Sequence, residues 1–353
     1  MLSYCRSIFY SILTSIFILV QTGCASNQDH ANLDVHSSIS VTDRYGNTVQ
    51  LNQPAQRIVC LFEASVDDLY MLGAGQSIIG IPAKIYTSSD LYRAYSILDR
   101  RIYEKQIATP SNWEASTNIE SVVDLQPDLV IVSAGQKDVI QILNKMHIPV
   151  YSVLSENLQQ TRKELLDLGQ LTGKSKRANE LVDFIDHEIQ AIQQRNHAQS
   201  DQKTIYYGWS GGRIFSTSGR DSMPNTVMTL AGARNVVQTR IDQPNVNPEK
   251  LIEWNPDVIL LWNTNPKQIY QRPELKTLTA VKQQQVFNLS PSFLFNPHTP
   301  KILLAANQLS HWIYPSATST QAATQDKLRI LTQFYGKTAA EQLIQYANDV
   351  TKE

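Results

Sequence analysis

Cysteine is scarce in this chain: three in 353 residues, at Cys5, Cys24 and Cys60. Two of them fall within or just after an N-terminal apolar stretch, so only Cys60 belongs to the body of the sequence. A disulfide-stapled fold is therefore excluded, and Cys60, inside the apolar run Ile58–Phe62, reads as a small buried core residue. No Cys/His cluster exists either. His147, His187, His197 and His311 have no partner at ligand spacing and read as structural. There is no basic block, and the formal net charge is −1, which excludes nucleic acid as the main partner. Charged residues make up 18% and hydrophobic residues 42%, a globular rather than a disordered balance. The apolar stretch Ile8–Val20 is too short to span a bilayer comfortably.

That stretch suits a signal-peptide core instead, with Arg6 as the cation before it. Gln21-Thr22-Gly23-Cys24 follows, and small residues directly before a Cys resemble the lipobox of bacterial lipoproteins. Gln21 departs from that pattern, which has an aliphatic residue there. The resemblance implies cleavage before Cys24 and lipidation of its thiol, giving a signal peptide over 1–23 and a lipidated, polar tether over 24–38. The protein is expected to be exported and held at the cell envelope or in the periplasm by a lipid anchor.

One pattern appears twice. Residues 119–132 read Ile-Glu-Ser-Val-Val-Asp-Leu-Gln-Pro-Asp-Leu-Val-Ile-Val, and residues 248–261 read Pro-Glu-Lys-Leu-Ile-Glu-Trp-Asn-Pro-Asp-Val-Ile-Leu-Leu. Glu120 and Glu249 each stand seven residues before a Pro-Asp pair, Pro127-Asp128 or Pro256-Asp257. The pattern predicts a short helix that stops at a turn and feeds a buried strand. Its repetition predicts two similar lobes with a cleft between them.

Elsewhere the chain alternates between strand and helix signals. Ser38–Leu51 reads as a hairpin. Arg57–Leu61, Ile78–Ile81, Val130–Ser133 and Val150–Val153 read as strands, and Val66–Leu72 and Asp138–Met146 as helices. Leu158–Leu171 is a helix, and Ser175–His197 a longer one with Ala178, Leu181, Ile185, Ile189 and Ile192 on one face. At 23 residues it reaches about 35 Å, long enough to run past two lobes. The pattern then restarts. Thr204–Tyr207, Val258–Leu261 and Val286–Leu289 read as strands, Ile214–Thr217 as extended chain, and Pro224–Leu230 and Pro300–Ile313 as helices. The last helices begin near Gln321. The fold class read from this alternation is α/β, with parallel sheets covered by helices in two similar lobes. The expected domains are an N-terminal lobe over 39–173, the helix over 174–199, and a C-terminal lobe over 200–353.

In order along the chain, Val41-Thr42-Asp43-Arg44-Tyr45-Gly46, Arg57-Ile58-Val59, Leu72-Gly73-Ala74-Gly75, Pro127-Asp128-Leu129-Val130, Leu171-Thr172-Gly173, Ala231-Gly232 and Pro256-Asp257-Val258-Ile259 resemble the periplasmic metal-chelate-binding family of ABC importers. The likeness covers roughly residues 39–315. It implies a solute-binding protein, not an enzyme, that holds a ferric siderophore, haem or cobalamin between its lobes. It also implies Rossmann-like lobes joined by one long rigid helix, matched by Ser175–His197, which allows only small hinge motion. The partners would be a permease dimer and its ATPase, the protein itself acting as a monomer without a cofactor of its own. The family docks on its permease through an exposed Glu on each lobe, and Glu120 and Glu249 occupy those positions. First-turn carboxylates also stabilise a helix start, so both roles can coexist.

Ligands in such folds sit beyond the carboxyl ends of the strands. That rule selects Phe62 and Glu63, Trp113 and Glu114, Trp209 with Arg213 and Arg220, Trp262, and His298. Aromatic rings with guanidinium groups suit a flat, anionic chelate. His298 could ligate metal directly or simply cap a helix start. A rival reading comes from Gly208-Trp209-Ser210-Gly211-Gly212, which fits the G-x-S-x-G nucleophile elbow of a serine hydrolase, with Asp257 and His298 following in order. The elbow needs a helix directly after the Ser; here Arg213–Gly219 reads as extended chain and turn, and no glycine-rich oxyanion loop precedes it.

Overall fold

The apolar β-branched runs become two separate parallel sheets. The computed structural model describes residues 38–112, 116–197, 201–241, 243–316 and 319–350. The expected signal peptide and Cys24, as well as Trp113 and Glu114, therefore lie outside the described residues. Strands β1 (Ile39–Thr42) and β2 (Thr48–Leu51) form the expected hairpin, pairing Val41 with Val49. Asp43 closes its turn by accepting the backbone N–H groups of Tyr45 at 2.9 Å and Asn47 at 2.8 Å.

The N-terminal sheet contains β3 (Ile58–Cys60), β4 (Ile78–Pro82), β5 (Ala108–Ser111), β6 (Leu129–Ser133) and β7 (Val150–Val153), in the order β5-β4-β3-β6-β7. Every pairing in it is parallel. The C-terminal sheet contains β8 (Thr204–Gly208), β9 (Arg234–Asn235), β10 (Val258–Trp262) and β11 (Val286–Leu289), in the order β11-β10-β8-β9, again parallel throughout. Parallel strands covered on both faces are buried along their whole length, as β6 and β7 are. In both sheets the chain starts at an inner strand and later reverses direction. The strand order thus switches between β3 and β6 and between β8 and β10, where crevices open.

The helix Ser175–His197 packs on helix Leu158–Leu171 of the first lobe and on helices Met223–Leu230 and Ile302–Ile313 of the second, and the face its spacing predicted, Ala178, Leu181, Ile185, Ile189 and Ile192, is buried. It lies close against helix Leu158–Leu171: a Cβ on Gly169 would stand 2.4 Å from the Cβ of Ala178, so that crossing admits only glycine. One continuous apolar cluster takes in Ile58 and Leu69 of the first lobe, Leu181 and Ile185 of the helix, and Ile205, Leu260 and Leu303 of the second. Smaller clusters back the outer faces, around Val59, Val130 and Leu143 on one sheet and Tyr206, Ile259 and Leu261 on the other.

Three elements differ from expectation. Helix Glu63–Met71 starts at Glu63, three residues before the predicted Val66. The segment around Ile214–Thr217 forms turns with a single bridge, Ser216 to Asn245, rather than an extended run. The last two helices, Ser319–Tyr335 and Lys337–Val350, cross back: Tyr346 donates its hydroxyl to Asp90 at the start of helix Ser89–Leu98, and Arg93 lies 5.1 Å from the Tyr346 ring centroid. The C-terminal end of the chain thus touches the N-terminal lobe.

Candidate functional site

The repeated sequence pattern builds the same local structure twice. Helix Ile119–Asp124 is capped by Asn118, whose side chain accepts the Ser121 N–H at 3.0 Å; helix Pro248–Trp254 is capped by Asn247, which accepts the Lys250 N–H at 2.8 Å. Both helices end in a left-handed residue before the proline, Gln126 with φ 47° and Asn255 with φ 40°. The following aspartates then tie the sheet together. Asp128 accepts the N–H groups of Gln56 at 2.7 Å and Arg57 at 3.0 Å, at the start of β3. Asp257 accepts the N–H of Thr204 at 2.8 Å and its hydroxyl at 2.7 Å, at the start of β8. Glu120 and Glu249 sit in the first turns of the two helices, both exposed. Beside Glu249 is a shallow hollow of about 400 Å³, lined by Asn245, Val246, Asn247, Lys250 and Glu253.

Beyond the carboxyl end of β3, buried Phe62 takes the N-cap position of helix Glu63–Met71 and Glu63 opens its first turn. The two oxygens of Glu63 are held from opposite lobes: Tyr95 donates to one at 2.8 Å and Asn296 to the other at 2.8 Å. Burial pushes the Glu63 carboxyl above the usual carboxylate range, and Lys301 partly offsets it.

On the second lobe, Trp209 and Trp262 follow β8 and end β10, and their rings meet edge to face with centroids 5.5 Å apart. Tyr207 packs on the other edge of Trp209 at 5.3 Å. Trp209 is buried, its indole N–H donated to the Thr217 carbonyl at 2.9 Å. The Trp262 indole N–H and the Tyr207 hydroxyl are buried with no hydrogen-bond partner among the described residues. Arg213 and Arg220 are exposed; the Arg213 Nε–H donates to the Ser210 carbonyl at 3.3 Å, while the Arg220 backbone N–H donates to the Thr239 carbonyl at 2.8 Å. The two arginines thus stand at the surface of the Trp209 loop region.

His298 is hydrogen-bonded to the first lobe. Its Nδ1 lies 3.2 Å from the carbonyl of Ser155, which follows β7 of the first lobe. With Nδ1 as the donor, Nε2 is left as the free ring nitrogen. His298 therefore spans the lobes together with Asn296. A third contact of this kind joins Asp90 to the Ser292 hydroxyl and, at 3.2 Å, to the Phe293 N–H.

Under these contacts lies a group that the sequence reading passed over. Helix Glu63–Met71 buries Asp67 and Asp68, and Lys301 from the second half of the chain is buried opposite them. Lys301 Nζ stands 2.9 Å from Asp67 Oδ2, an ion pair by distance whose angles are not those of a hydrogen bond. Burial, followed by the neighbouring Asp67 and Glu164 charges, raises the Asp68 carboxyl well above its ordinary range. Glu164 is raised by burial too, although it accepts the N–H groups of Leu154 at 2.8 Å and Ser155 at 3.2 Å. The available signal was a pair of adjacent aspartates in an otherwise apolar helix, and one lysine heading the apolar run Ile302–Ala306.

The hydrolase arrangement is absent from this geometry. Ser210 lies past the carboxyl end of β8, whereas Asp257 is bonded to Thr204 at its amino end, about 13 Å away along the strand. No helix follows Ser210; turns do, with φ 69° at Gly211 and 77° at Gly212.

Two parallel-sheet lobes joined by one long helix define the fold. The family model for periplasmic binding proteins matches residues 58–292, and the chain belongs to that family. It is a substrate-binding protein of an ABC importer, of the class expected from the ordered motifs, and its family binds solutes rather than catalysing reactions. Among curated relatives, it is 22% identical over 286 residues to the uncharacterised ABC transporter substrate-binding lipoprotein YvrC of Bacillus subtilis, covering 78% of this chain and 86% of that one. It is 23% identical over 265 residues to the vitamin B12-binding protein of Yersinia pseudotuberculosis, covering 73% and 86%. Among solved structures, the molybdate-bound periplasmic protein MolA of Haemophilus influenzae superposes with a TM-score of 0.71 at 20% identity, covering 84% of this chain and 97% of that one.

Proposed function

We propose that this protein captures a metal chelate between its lobes, an iron–siderophore complex ahead of haem or cobalamin, and delivers it to a permease dimer with its ATPase. What supports this reading is membership of the periplasmic binding protein family, together with the half-buried Glu63 after β3, the half-buried Trp262 at the end of β10 against buried Trp209, and the exposed Arg213 and Arg220. Rings pack on the organic shell of a chelate, and guanidinium groups pair with its carboxylate or catecholate oxygens. Phe62, Trp113, Glu114 and His298 complete the proposed ligand set. Among the described residues no group of His, Cys, Asp or Glu is arranged to hold a bare metal ion, which favours a complexed cargo.

Glu120 and Glu249 are proposed as the permease contacts. Their support is the twofold recurrence of one capped helix start with an exposed carboxylate. Cys24 is proposed as the lipid-bearing residue, anchoring a monomer at the envelope. Mass spectrometry of protein purified from iron-limited cells, with tryptophan quenching by ferric siderophores, haemin and cyanocobalamin, tests the cargo. Saturable quenching by one chelate class supports the reading. Binding of none of them, or only of free metal ions, contradicts it.

A further inference from the structure

We propose that the buried Lys301–Asp67 pair is an inter-lobe lock that sets the separation of Glu120 and Glu249. The geometry of the lock stands by itself; its consequence for import rests on the docking reading above. Asp67 belongs to helix Glu63–Met71, which follows β3 of the first lobe. Lys301 directly precedes helix Ile302–Ile313, which packs on helix Met223–Leu230 of the second. Both side chains are entirely inaccessible to solvent and 2.9 Å apart.

The pair is enclosed on every side. The other Asp67 oxygen accepts the Tyr335 hydroxyl at 2.5 Å. Lys301 Nζ lies 3.4 Å from the Phe293 ring centroid, so the cation has an anion on one side and an aromatic face on another. Phe293 in turn meets Tyr95 of the first lobe edge to face, with centroids 5.0 Å apart. The carboxylates and hydroxyls gathered here come from five segments: Glu63, Asp67 and Asp68; Tyr95; Glu164; the 292–301 segment; and Tyr335.

An apolar seam tolerates sliding, because its attraction has no direction. A buried ion pair does not, because separating the charges in a low-dielectric interior is costly at any displacement. One apolar cluster runs through both lobes, and the pair is a point within it where only one register satisfies the charges. Lobe motion is thereby restricted to movements that keep Lys301 on Asp67, and the exposed Glu120 and Glu249 move only as far as those allow.

The test compares wild type, Lys301→Arg, and the triple variant Asp67→Leu/Lys301→Met/Tyr335→Phe, which replaces the whole group by apolar side chains and leaves no charge stranded. Spin labels on Asp124→Cys and Glu253→Cys, each one helical turn from its glutamate, report the lobe separation by double electron–electron resonance. A single narrow distance is expected in wild type and Lys301→Arg, and a broadened or displaced one in the folded triple variant. The same narrow distance in the folded triple variant would overturn the proposal. Should that variant fail to fold, hydrogen exchange of the unaltered protein decides. The lock predicts that amides of Asp67–Met71 and Leu304–Leu309 are released together in one opening event, and separate release would overturn it. Normal import by Glu120→Ala/Glu249→Ala would sink the docking reading while leaving the distance result intact.

Discussion

The two lobes are alike where the chain turns from helix into strand and unlike where their sheets face each other. At the turn each has an asparagine cap, an exposed first-turn glutamate, a left-handed residue, and a Pro-Asp whose carboxylate holds the start of a neighbouring strand. At the facing ends the first lobe is acidic, with Glu63, Asp67, Asp68 and Glu164, and the second is aromatic, with Tyr207, Trp209, Trp262 and Phe293. Even the helix stops repeat: Gly73 and Gly232 have φ of 72° and 82°, and Ala74 and Ala233 each close the same backbone bond, to Leu69 and Met228. The shared parts set geometry that must be matched on both lobes. The divergent parts meet across the seam, where complementarity rather than likeness is needed.

That contrast can be broken most severely at the seam. Lys301→Met alone leaves the buried Asp67 carboxyl without its partner, and is expected to cost about 3–5 kcal/mol in chemical denaturation. Removing the strand ties should do less, and equally in both lobes. Asp128→Ala and Asp257→Ala each strand two donors at a strand start, for an expected loss of about 1–3 kcal/mol. A large effect in one lobe with none in the other would show that the likeness is one of shape and not of energetics. The caps come next: Asn118→Ala and Asn247→Ala are each expected to lose about 1 kcal/mol.

The acidic wall also gives the protein a pH dependence. Glu63, Asp68 and Glu164 have folded pKa values raised by burial, with Lys301 lowering and Asp67 further raising the first two. A carboxyl raised on folding contributes stability that is complete below its unfolded pKa and is lost as pH rises through its folded pKa. Wild-type Tm should therefore fall as pH is raised from about 4 to neutrality, each unit of raised pKa costing about 1.4 kcal/mol. Asp68→Asn cannot ionise, and is expected to flatten that fall and to be the more stable protein at neutral pH. An unchanged slope in Asp68→Asn would place the titration elsewhere. The smallest effect is expected for Tyr207→Phe. Deleting a buried hydroxyl that has no partner among the described residues should leave stability unchanged or slightly raised.

The sheets were legible because long apolar runs bounded by Gly, Pro and Asp have few other readings. The repeat was legible because Pro-Asp after a short helix carries its own mechanism. Strand β5 was not, since Ala108-Thr109-Pro110-Ser111 has no apolar run; it is an edge strand, where a proline is tolerated. The short helices Lys84–Thr87 and Arg100–Tyr103 are too brief to show a period. Burial of Asp67 and Lys301 could not be read along the chain, because what neutralises each lies more than two hundred residues away. Cleft aromatics were named from their position after strands, yet position alone does not tell Trp209, whose N–H is bonded within its own lobe, from Trp262, whose N–H is not.

The account rests on one division of labour, in which cargo is held at the seam and the permease is met by the two repeated glutamates. Import of a bound chelate by cells carrying Glu120→Ala/Glu249→Ala, measured beside the affinity of the purified variant, tests it most directly. The account predicts import abolished with affinity nearly unchanged. Import at the wild-type rate, or a collapse of affinity, would contradict it.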